Sequence, residues 1–177
     1  MKKFFMKYSV LLMVVFSCLS FTVFAEEFYL LGPGDKVAIK VFGEDDLTIE
    51  TLLGDDGAIN YPFLGEITLV GMTIKELEQL IEQGLKGDYL VNPNVYAQVI
   101  EYRPFYIHGE VNEPGSYPYQ PGMTINQAIA LAGGLTERAD MGKISIFKER
   151  EKDKKQQASL DYKVNAGDTV TIEQRFF

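Results

Sequence analysis

Between Phe105 and Leu135 the chain reads FYIHGEVNEPGSYPYQPGMTINQAIALAGGL, and the order of signals in that stretch leaves little freedom. Phe105, Ile107 and Val111 make an apolar strand, and Glu113-Pro114-Gly115 reverses it, with Pro presetting φ and Gly allowing φ > 0. Thr124 stands three residues before Gln127, the spacing of a capping box, and Gly133-Gly134 supplies a left-handed stop. Between these signals Ile125, Ala128, Ile129 and Ala132 share one helical face. The pattern predicts a short helix packed across a small curled sheet, and so an α+β fold.

Upstream, Gly32-Pro33-Gly34-Asp35 is a turn that launches a strand over Lys36 to Phe42, with Val37, Ile39 and Val41 on one face. Thr48 to Leu53 and Ala58 to Phe63 read as two strands of a hairpin around Asp55-Asp56-Gly57, and Glu66 to Val70 as a further strand. Thr73 and Glu76 form a second capping box, followed by the stripe Ile74, Leu77, Leu80 and Ile81 and an end near 84–87. Asn94 to Tyr102 returns as a strand through Val95, Ala97 and Val99. Two short sequences recur: GMTI at Gly71 and Gly122, and Gly-Asp before a strand at Gly34 and Gly167. Two copies do not make a solenoid, and they indicate two small α+β units that solve the same local problem. Pro104 interrupts pairing, so units of 26–103 and 104–177 are expected. The charged run from Lys148 to Lys155 is expected to be a solvated hairpin loop, and Val170-Thr171-Ile172 the last strand.

The first 25 residues have the shape of a signal peptide: Lys2, Lys3 and Lys7, an apolar run, then Val23-Phe24-Ala25. Cleavage after Ala25 is expected, with an uncleaved anchor as the competing reading. Cys18 is the single cysteine, so no intramolecular disulfide framework exists; lipid attachment there is a further alternative, weakened by bulky Phe16 two positions before it. Loss of the three lysines takes the net charge from −8 to −11. So acidic a chain repels nucleic acid and anionic head groups, and a neutral glycan or a basic protein surface fits it better.

The block HGEVNEPGSYPY with TINQAIALAGGL resembles the SLBB (soluble-ligand-binding β-grasp) module. LGPGDKVAIKVFG from Leu31, DDGAINYPFLGEITLVGMTIKELEQLI from Asp55 and LVNPNVYAQVIEYRP from Leu90 resemble the polysaccharide export domain of Wza-like outer-membrane polysaccharide export proteins. With the GDTVTI strand the resemblance covers nearly the whole chain after residue 25. It implies a periplasmic protein that assembles into oligomeric rings, with polysaccharide, an inner-membrane co-polymerase and an outer-membrane channel as partners. Members of the family carry several β-grasp units and a C-terminal pore helix. This sequence shows one such unit and no such helix, so a separate outer-membrane channel is expected.

Catalysis finds no foothold. Asp45-Asp46 and Asp55-Asp56 are adjacent pairs, which point to opposite faces of a strand or serve a turn, unlike the facing carboxylates of glycosidases. His108 is the only histidine, which excludes a multi-histidine metal site, and there is no phosphate-cradling Gly-rich loop with its Lys. No enzyme activity, metal or cofactor is expected. A glycan-binding module without a conduit role is the alternative function, because Tyr102, Phe105, Tyr106, Tyr117 and Tyr119 cluster around the hairpin; core and subunit contact are the competing uses of those rings. His108, Glu110, Asn112, Tyr117 and Tyr119 are the candidate contact residues for glycan or a neighbouring subunit, whereas Asp35 and Asp168 read as turn-formers.

Overall fold

The computed structural model describes residues 28–151 and 153–175; the leader with Cys18 and the Ala25 cleavage site lies outside the described residues. The strands are Lys36–Val41 (β1), Ile49–Leu52 (β2), Ala58–Tyr61 (β3), Gly65–Thr68 (β4), Val95–Glu101 (β5), Phe105–Gly109 (β6), Gly115–Tyr117 (β7), Ala139–Phe147 (β8), Lys155–Gln157 (β9) and Thr169–Gln174 (β10). Among the described residues, two α-helices, Ile74–Leu85 (α1) and Ile125–Leu131 (α2), complete the mixed α+β architecture.

The strands form three sheets, ordered β2-β1-β5, β3-β4 and β7-β6-β10-β8-β9. In the five-stranded sheet β10 runs parallel to β6 and antiparallel to β8, so the last strand of the chain is its centre. Two hydrophobic cores result. One gathers Leu31, Val37, Ile39, Tyr61, Leu77, Ile81 and Leu85 with β5, and the other gathers Phe105, Ile107, Ile125, Ala128, Ile129, Ile144, Ile146, Val170 and Ile172. Burial of each large side chain contributes about 1.5–3 kcal/mol. We refer to the structures around these cores as the first and second lobes.

Both helices start where the pattern places them. Thr73 Oγ1 accepts from Glu76 N and the Glu76 carboxylate accepts from Thr73 N at 2.7 Å; Thr124 and Gln127 repeat the arrangement, with Thr124 N donating to Gln127 Oε1 at 2.9 Å. Those bonds hold the Glu76 carboxyl below its usual range. Thr124→Ala leaves donors of α2 unsatisfied, and a loss of about 1 kcal/mol in urea unfolding is expected.

One sequence expectation fails. Thr48 to Leu53 and Ala58 to Phe63 do not pair as a hairpin: β2 pairs with β1 and β3 pairs with β4. Leu53 N donates to Asp35 O at 2.8 Å, which completes the β1 edge, and the chain then turns a corner into the second sheet. Gly57 makes that corner at φ +64°, and a Cβ there would lie 1.7 Å from Val70 Cγ2, so the Asp-Gly signal marks a crowded corner instead of a hairpin tip. Phe63 likewise leaves the strand, at φ +64° in the turn between β3 and β4.

The two recurring sequences occupy matched places. Each GMTI leads into a helix that is followed by a strand (β5 or β8), and each Gly-Asp launches the strand antiparallel to it (β1 or β10). In the first lobe the Gly-Asp strand comes first, and in the second it comes last. The lobes are therefore built from the same pieces in permuted order.

Candidate functional site: the inter-lobe seam

Asp35 is fully buried and performs the turn role read from the sequence: its Oδ2 accepts from Gly32 N at 2.9 Å. Asp168 does the same in its own turn, its Oδ2 accepting from Asn165 N at 2.9 Å. The second oxygen of each reaches the backbone just past the neighbouring strand. Asp35 Oδ1 accepts from Arg103 N at 2.9 Å, two residues beyond β5, and Asp168 Oδ1 from Glu149 N at 3.3 Å, two residues beyond β8. Arg103 and Glu149 thus hold equivalent positions in the two lobes, and their side chains meet.

The Arg103 guanidinium closes the seam. Its Nη1 donates to Asp35 Oδ2 at 2.7 Å and to Tyr29 Oη at 2.8 Å; its Nε and Nη2 reach Glu149 Oε2 at 2.9 and 2.7 Å. Tyr29 Oη in turn donates to Asp35 Oδ1 at 2.6 Å. Burial opposes the Arg103 charge, but Asp35, Tyr29 and Glu149 outweigh it and raise the guanidinium pKa. Burial, with the hydrogen bond to Asp35 and its charge, pushes the Tyr29 phenol well above its usual value. Tyr29 also packs against both cores, and its ring meets Tyr102 edge-on at 4.8 Å and stacks at 6.3 Å on Tyr119. Glu149 belongs to the charged run expected to be a solvated loop. Most of that run is exposed in the β8–β9 connection, but Glu149 turns inward because Arg103 offers it a partner.

Beside the seam lies a cleft of about 300 Å³, lined by Phe28, Tyr29, Tyr119, Pro121, the 148–150 segment and the 163–166 turn. Asp168 lines it too, with its pKa raised by burial against the pull of its backbone hydrogen bonds and Lys148.

The five candidate contact residues have different surroundings. His108 is exposed on β6, its Nε2 3.0 Å from Thr171 Oγ1, in a cross-strand row that continues through Ser145 to Gln157. Ser145 Oγ is buried in that row without a hydrogen-bond partner among the described residues. Glu110 accepts the Thr136 hydroxyl at 2.5 Å, and Asn112 Nδ2 donates to Gly133 O at 2.7 Å, tying the hairpin to the end of α2. Tyr117 donates to Glu113 O at 2.6 Å and stacks on Phe105 across the hairpin. Tyr119 is buried at the cleft. The acidic pairs sit in turns: Asp45 and Asp46 are exposed in a 3-10 turn, and Asp56 accepts from Ala58 N in the corner turn.

In the first lobe, Tyr61 Oη donates to Leu47 O at 2.9 Å, and burial raises its pKa to about 12. The unfolded phenol ionises near 10, so between about pH 10 and 12 the unfolded chain releases a proton that the folded one retains. Stability therefore falls as pH rises through that window, and Tyr29 adds to the fall. Urea titrations at stepped alkaline pH should show this slope, shallower in Tyr61→Phe, which at neutral pH costs about 1 kcal/mol for the lost bond.

Comparison with known proteins gives two family matches. Residues 25–100 match the family described as polysaccharide biosynthesis/export protein, and residues 104–157 match the SLBB domain. The exopolysaccharide production protein ExoF of Rhizobium meliloti (strain 1021) is 38% identical over 94 residues, which cover 51% of this chain and 22% of ExoF. The polysialic acid transport protein KpsD of Escherichia coli is 28% identical over 109 residues, 60% of this chain and 20% of KpsD. The EPS I polysaccharide export outer membrane protein EpsA of Ralstonia nicotianae (strain ATCC BAA-1114 / GMI1000) is 25% identical over 182 residues, 83% of this chain and 48% of EpsA. The chain thus spans less than half the length of each of these relatives. Their names describe polysaccharide production, transport and export. The two matches stand in this order on a mixed α+β fold, a polysaccharide biosynthesis/export domain over 25–100 followed by an SLBB domain over 104–157.

Proposed function

We propose that the protein is a periplasmic component of a polysaccharide export machine, in which units 26–103 and 104–177 assemble into an oligomeric, ring-like conduit between an inner-membrane co-polymerase and a separate outer-membrane channel. The observation that carries this reading is the pair of family matches in sequence, 25–100 then 104–157, together with the similarity to relatives named for polysaccharide production, transport and export. The architecture supports it. The seam of Tyr29, Asp35, Arg103 and Glu149 fixes the lobes against each other, as a subunit of a conduit requires. Among the described residues no helix is long and apolar enough to cross a membrane.

Contacts with neighbours and glycan are drawn from the exposed surface. We assign His108, with the outer sheet face, to such contacts; Tyr119 supports them from its buried place beside Tyr29, and Glu110, Asn112 and Tyr117 by holding the hairpin. Deletion of the gene is expected to abolish release of one cell-surface or secreted polysaccharide, measured as uronic acid or total sugar in the medium, with polymer retained inside the cell. Unchanged release in the deletion strain would refute the export role.

A further inference from the structure

The cleft beside the seam differs in charge from the rest of the molecule. The chain carries −8 overall, yet Arg103, Lys148, Arg150 and Lys163 line this cavity against only two carboxylates, Glu149 and Asp168. Both carboxylates are engaged: Glu149 by Arg103, and Asp168 by the backbone N–H groups of Asn165 and Glu149. Arg150 and Lys163 are exposed, and neither forms an ion pair among the described residues. Arg150 also approaches the first lobe, its Nη2 3.5 Å from where a Cβ on Gly71 would stand. Arg103 is already engaged by Asp35 and Glu149, so the positive excess of the cleft rests on Lys148, Arg150 and Lys163 against Asp168, and such an excess on an acidic surface favours an anion.

The size and remaining lining say what kind of anion. About 300 Å³ is at the lower end of small-molecule sites and far larger than an isolated phosphate or carboxylate needs. Phe28 is 67% exposed, so an open aromatic face adjoins the cations, while Tyr119 is buried and stacked on Tyr29. Cations beside aromatic faces suit a pyranose that carries a carboxylate, whose C–H face covers a ring while its charge meets Arg or Lys.

We propose that this inter-lobe cleft binds a carboxylate-bearing sugar unit of a polysaccharide, with Arg150 and Lys163 meeting the carboxylate and the exposed Phe28 covering the ring. The inference rests on the export reading and adds to it a substrate class, an acidic glycan. An acidic peptide of a partner protein has the same charge but no pyranose face.

The test is titration of the purified protein, followed by NMR and calorimetry, with a short oligogalacturonate, a neutral cello-oligosaccharide of the same length and a short oligoglutamate. Expected are saturable shifts from the oligogalacturonate at residues of the cleft, weakened by salt between about 0.05 and 0.5 M. The double variant R150Q/K163Q, altered only at exposed side chains, should bind about tenfold or more weakly, while K86Q, on an exposed lysine at the end of α1, binds as before. No saturation by oligogalacturonate, equal binding of the neutral oligomer, tighter binding of oligoglutamate, or unchanged affinity in R150Q/K163Q would each overturn the proposal. The gene deletion keeps the two readings apart: release lost on deletion, together with no binding of acidic sugar, sinks only the cleft assignment.

Discussion

Arg103→Met is expected to destabilise the protein by about 3–5 kcal/mol, because it leaves Asp35 as a fully buried carboxylate without its counter-charge. Methionine keeps much of the arginine stem, so the loss falls on the guanidinium's bonds to Asp35, Tyr29 and Glu149. The two backbone donors to Asp35, Gly32 N and Arg103 N, survive the change and cannot neutralise a full charge. Glu149→Gln should cost much less, since that carboxylate is part-exposed and its partner retains Asp35. Urea unfolding of both single variants and the double should give a non-additive cycle, the double scarcely worse than Arg103→Met. A loss below about 1 kcal/mol for Arg103→Met would mean that the seam contributes nothing beyond an ordinary surface pair.

Gly109→Ala is the second large effect. Gly109 ends β6 at φ +92°, and a Cβ there would stand 2.0 Å from the carbonyl oxygen of Ile172 on β10. That oxygen also accepts from Glu110 N at 3.0 Å, so the obstacle is backbone that cannot swing aside without giving up the parallel pairing. Left-handed strain of about 1–2 kcal/mol adds to overpacking of about 1–3 kcal/mol. A loss of about 2–5 kcal/mol is expected, with hydrogen exchange accelerating along β6 and β10. Gly43→Ala provides the contrast, with φ +87° and nothing within 4 Å of the added carbon, so it should cost only the strain. Equal losses from the two variants would rule out the contact with Ile172 as the cause.

What was legible in the sequence is what local chemistry dictates. Each capping box joins residues three apart, and the apolar face Ile125, Ala128, Ile129 and Ala132 of α2 is set by helical period alone; all four are buried. The Gly-Asp turns were equally readable, since Asp35 and Asp168 each reach back only three residues. Partner choice was not. Asp55-Asp56-Gly57 carries a good local hairpin signal, but β2 has only Ile49 and Thr51 half-buried and its pairing with β1 is decided by the Asp35 and Leu53 backbone. The ion pairs of Arg103, 68 residues from Asp35 and 46 from Glu149, leave no periodic trace. The one hint was the repetition of Gly-Asp before each strand, which suggests matched surroundings for Arg103 and Glu149 only once the strand order is known. Of the five contact candidates, Glu110, Asn112 and Tyr117 proved to have near neighbours in sequence or at the helix end as partners, a use that composition alone does not separate from binding.

The arm that precedes β1 has a mechanical consequence. Tyr29 is lodged against both cores, while Leu31 is stitched to the first lobe by Leu31 N to Met72 O and Gly71 N to Leu31 O, both at 2.8 Å. A pull on the chain upstream of Phe28 would meet the tyrosine wedge before it loaded either sheet. Tethering at that end would thus act on the seam itself, and tension there would loosen the grip of one lobe on the other while leaving each folded.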